Sequence, residues 1–184
     1  MRLGYGGAST AQIARLARVS KRDLYAVFAS KQAMLCASVM ERTERMRRPL
    51  NLPPPGDLAG LNATLIQYGM TFLLELSRPE VMATHRLAIA ESENAPELAR
   101  TLDSSGRMET RLAMVRLFTT CCERGVLGGA EPIEMVEVFH AILMREGLMV
   151  RMLMRTAPAP DEADARQRAE AAAETLSRLY GKPA

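Results

Sequence analysis

Three cysteines in 184 residues, Cys36, Cys121 and Cys122, are too few and too poorly spaced for a disulfide framework or a zinc site. A reducing cytoplasm is the compartment this usage fits. Histidine is scarcer still: His85 and His140 are the only two, and their spacing matches no metal-ligand pattern even with Glu91 or Glu93 added. No apolar run reaches the length of a membrane span, and the start is not a secretory signal. There are no internal repeats, no Gly-rich phosphate loop, no Ser/His/Asp arrangement and no carboxylate pair with supporting context. Neither an enzyme, nor a cofactor, nor a bound metal is expected, and no membrane partner.

What is present is a chain long enough to bury a proper core as one or two domains. Hydrophobic residues make up 48% and charged residues 24%, as in globular proteins. The net charge of +3 hides an asymmetry. Residues 1–50 carry ten Lys/Arg against three Asp/Glu, a net of +7, while residues 51–184 carry fourteen against eighteen, a net of −4. A basic end on an acidic body is the pattern of a chain that neutralises phosphates at one end.

That basic end contains the stretch Ser9 to Lys31. Ser9, Ser20 and Ser30 each open a short run of helix formers, and a serine hydroxyl accepts a bond from an otherwise unpaired N–H of a first helical turn. Ser9 with Gln12 fits a capping box. Two short helices are predicted, about Thr10 to Leu16 and Lys21 to Phe28, joined by a tight turn at Ala17, Arg18 and Val19. A third begins at Lys31 and runs to Arg48, stopped by Pro49. Ala14 is small where helices must cross, and Ile13, Leu16, Val19, Leu24 and Phe28 are the expected apolar wall. This is a helix-turn-helix pattern, whose second helix enters the DNA major groove. A left-handed Arg18 in the turn would cost about 1 kcal/mol.

Val19-Ser20-Lys21-Arg22-Asp23-Leu24-Tyr25, then Phe28, then Ser30-Lys31-Gln32-Ala33-Met34-Leu35, preceded by Gly4-Tyr5, resembles the TetR family of transcriptional regulators. The resemblance covers about the first 40 residues. It implies a DNA-binding head on a helical body that dimerises and holds a small effector. Thr10, Tyr25 and Lys31 match positions that bind phosphate in the family. Ser20, Lys21 and Arg22 then stand at the leading end of the recognition helix, where Arg22 suits guanine O6/N7 and Asp23 suits cytosine N4. Asp23 departs from the Thr or Ser that members often carry there. A second departure is that members have a whole helix before the Gly-Tyr pair, whereas Met1, Arg2 and Leu3 alone precede Gly4. The expectation is either a start upstream or a head lacking one wall, and hence weak DNA binding by this chain alone.

After the head, Arg42, Arg45, Arg47 and Arg48 form a basic cluster, better suited to a solvated face than to DNA. Asn51-Leu52-Pro53-Pro54-Pro55-Gly56 is a stiff link, dividing a head at 1–48 from a body at 49–184. Every later segment has helical period and none alternates at period two, so the fold class is all-α. Helices are predicted from just after Asp57 to about Ser77, from Pro79 to about Asn94, and from Pro96 to near Gly125 with a weakness at Ser104-Ser105-Gly106. Glu131 to about Arg155 reads as one helix with two apolar faces, and Asp161 to Tyr180 as another with a line of alanines.

Two apolar faces need two partners. One is the body's own core. The other, with Val136, Leu143, Val150 and Met154, is assigned to a second subunit together with Ala172 and Leu176 of the last helix. Thirteen methionines suit adaptable packing, and Met70, Met82, His85, Met114 and Phe118 are the candidate pocket. Cys121 and Cys122 read as small core hydrophobes. The function expected is a cytoplasmic homodimeric regulator, a repressor released from operator DNA by a small, largely apolar ligand. The alternative is a helical ligand-binding or interaction protein that has lost DNA binding with its first helix.

Overall fold

The computed structural model describes residues 9–145 and 147–182. The Gly4-Tyr5 pair and the question of a helix before it lie outside the described residues. Ten α-helices are present among the described residues, and no strand. They are α1 (Thr10–Ala17), α2 (Lys21–Val27), α3 (Lys31–Arg47), α4 (Leu58–Leu76), α5 (Pro79–Ala90), α6 (Pro96–Leu102), α7 (Glu109–Glu123), α8 (Pro132–Met144), α9 (Gly147–Leu153) and α10 (Glu162–Tyr180). Among them no helix is long and apolar enough to cross a membrane.

Local chemistry sets the boundaries. Asp57 and Asp161 cap α4 and α10 by accepting from the amides of Gly60 and Asp164. Prolines occupy the first turns of α5, α6 and α8, where their missing N–H costs nothing. The weakness expected around Ser104–Gly106 is a π-helical turn over Asp103–Met108, between α6 and α7.

The core is a layer of α4, α7, α8 and α10. Its largest fully buried side chains include Tyr68, Phe118, Phe139, Leu61, Leu65, Met114 and Met135. The alanine line of α10 (Ala165, Ala169, Ala172, Ala173) is wholly buried, chiefly against α4 and then α8. At the crossing, a Cβ added to Gly69 would lie 2.8 Å from Ala169 Cβ and 3.0 Å from Leu143 Cδ1. The small residues therefore let α10 close on its own α4.

That packing corrects the interface expectation. Val136, Leu143, Ala172 and Leu176 belong to the protomer's own core and are at most 2% exposed. The predicted single helix over 131–155 is also two helices, because Arg145 turns the chain with φ 44 and ψ −148. The break reorients α9. Arg151 is buried and donates to Ser77 Oγ at 2.5 Å, and Arg86 donates to the carbonyls of Met152 (3.0 Å) and Arg151. Met149, Val150, Leu153 and the following Met154 are exposed instead.

The stretch after α3 is no loose hinge. Pro49 and Leu50 are buried, Leu50 within the main core, and Arg124 donates to the Pro54 carbonyl at 2.6 Å. Helix α3 is tied to the body by Arg47, which meets Glu109 at 2.9 Å as well as Glu44 of its own helix at 2.6 Å, and by Arg42, which meets Glu80 at 3.4 Å. Arg45 pairs with Glu41 at 3.6 Å. Three members of the basic cluster thus hold carboxylates.

Candidate DNA interface and ligand cavity

The head is built by its caps. Ser9 and Gln12 exchange both bonds of the capping box, each at 3.2 Å. Ser20 accepts from the Asp23 amide at 3.0 Å and Ser30 from the Ala33 amide at 3.0 Å. Arg18 ends α1 in the left-handed region, φ 56 and ψ 37, the strain the turn requires of a non-glycine. Ala14 and Leu24 are the buried residues of α1 and α2. Leu16 is 81% exposed and Val19 is exposed, so neither belongs to the expected wall. Leu16 follows Ala14 by two positions, about 200° round a helix, and so faces away from the crossing.

The start of α2 is open to solvent. Lys21 and Arg22 are exposed, and Lys21 Nζ stands 5.9 Å from the Tyr25 ring centroid. The Tyr25 hydroxyl donates to Thr10 Oγ1 at 3.2 Å, bringing together two residues matched to phosphate contacts. Lys31 opens α3 and is half-buried. Asp23 is otherwise engaged: Ser20 Oγ donates to its carboxylate at 2.7 Å while capping its amide. Its negative charge sits in the first turn of α2, where the helix dipole favours it. The residue that looked anomalous beside phosphates is part of a local cap.

A cavity of about 570 Å³ opens between α3 and the body. Leu35, Val39, Arg42 and Met46 of α3 face Phe72 and Leu76 of α4, Val81 and His85 of α5, and Val136 and His140 of α8 across it. Of the five pocket candidates only His85 is on this wall. Met82, Met114 and Phe118 are buried in close packing and Met70 packs against the core; none of these four lines the cavity. The segment Asp103–Met108 contributes Gly106 and Arg107, which no periodicity had singled out.

The polar part of the wall is ordered. His140 Nδ1 lies 3.0 Å from the Val136 carbonyl, which can only accept, so Nδ1 carries the proton and Nε2 accepts from the Tyr68 hydroxyl at 2.8 Å. Burial holds the His140 pKa down to about 4 and pushes that of Tyr68 up. His85 Nδ1 is 2.9 Å from the Val81 carbonyl. Burial raises the Cys121 thiol to about 11, and Cys121 and Cys122 pack in or against the core. Among the described residues, no group of three or more His, Cys, Asp or Glu side chains is placed to hold a metal ion.

An exposed basic helix-turn-helix on an all-α body, with a cavity between α3 and that body, points to a DNA-binding regulator. The family model for bacterial regulatory proteins of the tetR family matches residues 2–37, and that for the AefR-like transcriptional repressor C-terminal domain matches residues 63–182. The chain belongs to the TetR family of DNA-binding transcriptional regulators. No curated protein matches it in sequence. A TetR-family regulator from Mesorhizobium loti MAFF303099 shares the fold at 20% identity with a TM-score of 0.75, over 98% of this chain and 90% of that one. The flavonoid-responsive regulator FrrA is 26% identical, with a TM-score of 0.71 over 98% of this chain and 90% of its own. A TetR regulator from Agrobacterium tumefaciens is 22% identical, with a TM-score of 0.74 over 95% and 84%.

Proposed function

We propose that this regulator is a homodimeric repressor, released from its operator by a small, largely apolar ligand in the cavity between α3 and the body. One observation carries the ligand part. The cavity wall includes four apolar or charged side chains of α3, the helix that runs on directly from the DNA-reading pair. A volume of about 570 Å³ is within the usual range for a bound small molecule. A ligand that fits better when α3 is displaced shifts the population of head positions by its differential affinity for the two states. The relative named for its response to flavonoids supports a small-molecule effector.

On the DNA side, Ser20, Lys21 and Arg22 lead α2 into the major groove, and Thr10, Tyr25 and Lys31 hold phosphates. Division into a reading head (residues 1–48) and a regulatory body (residues 49–184) is part of the same proposal, with α3 as the shared element. The dimer face proposed is the exposed apolar surface of α9, Met149, Val150 and Leu153, with Met154 beyond it. A helix that buries its arginine and exposes its methionine and valine is oriented for a partner. The compartment proposed is the cytoplasm.

The test is a screen of apolar small molecules for release of a selected operator. An active compound should lose its effect on the Ala141→Trp variant, which adds bulk from the body side of the cavity wall and leaves α1 and α2 unaltered. Equal release from the filled variant would show that the effector binds elsewhere.

A further inference from the structure

The cavity wall is apolar, but its charges are unequal. Arg42, Arg107 and Arg111 line it against a single carboxylate, Glu137, which is taken by Arg111. Asp103 and Glu80, the partners of Arg107 and Arg42, are not on the wall. Of the three guanidiniums, Arg42 is the least committed. Both of its terminal nitrogens reach the same oxygen, Glu80 Oε1, and both at 3.4 Å, whereas Arg107 holds Asp103 at 2.5 Å. Arg42 is also well covered, with 23% of its side chain exposed against 52% for Glu80.

Glu80 does not depend on that arginine alone. It stands in the first turn of α5, and its own backbone amide is the largest cause of its lowered pKa, ahead of Arg42. The carboxylate can therefore return to water at small cost, whereas the sheltered guanidinium cannot lose its anion so freely.

We propose that the cavity selects an apolar anion, whose carboxylate or comparable acidic group takes Arg42 from Glu80 while its hydrocarbon body lies against Phe72, Leu76, Val81 and Val136. This rests on the cavity being the effector site. Because Arg42 is on α3 and Glu80 on α5, the exchange removes an ionic tie between the helix that follows the reading head and the body, leaving that of Arg47 to Glu109. Binding and release are thus coupled through a single side chain.

The experiment is calorimetric titration of the full chain with three chain-matched probes, decanoate, decanol and decylamine, at neutral pH. Decanoate should bind about tenfold or more tightly than decanol, and decylamine weakest, as a charge-assisted bond at a covered arginine implies. Arg42→Leu should bring decanoate down to the level of decanol, and Glu80→Gln, which weakens the competitor, should hold or raise decanoate affinity. Equal affinity of decanol and decanoate, or a decanoate preference that survives Arg42→Leu, would overturn the inference. Ala141→Trp separates it from the wider proposal. If filling the cavity abolishes binding of all three probes but the acid has no advantage, the effector site stands and anion selection falls. If filling changes nothing, or none of the probes binds the wild type, both fall.

Discussion

The Tyr68 hydroxyl donates to His140 Nε2 across 2.8 Å, joining the wholly buried ring of α4 to a side chain on the cavity wall. The same imidazole is held from behind by the Val136 carbonyl, so its tautomer is fixed. Phe72 and Phe139 stand against His140 at centroid distances of 5.5 and 5.9 Å.

Acid should therefore unlock the body before it protonates an ordinary carboxylate. His140 titrates near 6.5 when unfolded and near 4 when folded, so between those values the unfolded chain binds more protons. Stability is fully present above pH 6.5 and is lost as pH falls toward 4, by up to about 3 kcal/mol. Thermal melts of wild type and His140→Gln across this window check it: the difference between the two should shrink as pH falls. Tyr68→Phe leaves Nε2 without its donor and should cost about 1–3 kcal/mol at neutral pH.

Gly69→Ala should behave against propensity. In a helix interior alanine ordinarily gains about 1 kcal/mol over glycine. Here the new methyl meets Ala169 Cβ at 2.8 Å, and overpacking costs about 1–3 kcal/mol. A lower melting temperature is expected, and a compensating Ala169→Gly should recover part of it.

Leu143→Glu and Val150→Glu separate core from interface. Leu143 is fully buried, so a carboxylate there should abolish cooperative folding. Val150 is exposed; its variant should keep its helical spectrum and sediment as a monomer. An unchanged dimer would remove α9 from the interface.

Much of this architecture was readable from local chemistry. Ser9, Ser20 and Ser30 are caps because a side chain reaches three residues along its own chain, which any sequence displays. The Ser104–Gly106 weakness was visible for the same reason. What the pattern could not decide was which partner an apolar face meets. Leu143 and Ala172 look the same whether they pack on their own α4 or on a second subunit, and the deciding contact, Gly69 against Ala169, joins residues a hundred positions apart. The turn at Arg145 has no proline to announce it. Of the pocket candidates only His85 reached the cavity, because Met82 and Met114 fill the core and the wall is made by helices distant in sequence, with arginines, histidines and threonines beside its apolar side chains, Met46 and Met144 among them.

Division of labour in the head is tested by paired substitutions. Ser20→Ala removes the α2 cap and both of its bonds to Asp23, and should cost about 1 kcal/mol of head stability. Arg22→Ala should change which sequences bind, by about 1–3 kcal/mol at one position, whereas Lys31→Ala should weaken all sequences alike and flatten the salt slope. Uniform losses in both would contradict the assignment.

Because the family match over residues 2–37 covers the head, firm rather than weak DNA binding is expected of it. The most direct measurement is selection of operators from random duplexes by the purified chain, followed by salt-dependent binding of the enriched sequence. A two-fold symmetric site with half-sites about one helical turn apart, bound in a steeply salt-dependent manner, is the predicted result. Absence of any enriched sequence, with weak binding indifferent to salt, would contradict a regulator that reads DNA through α2.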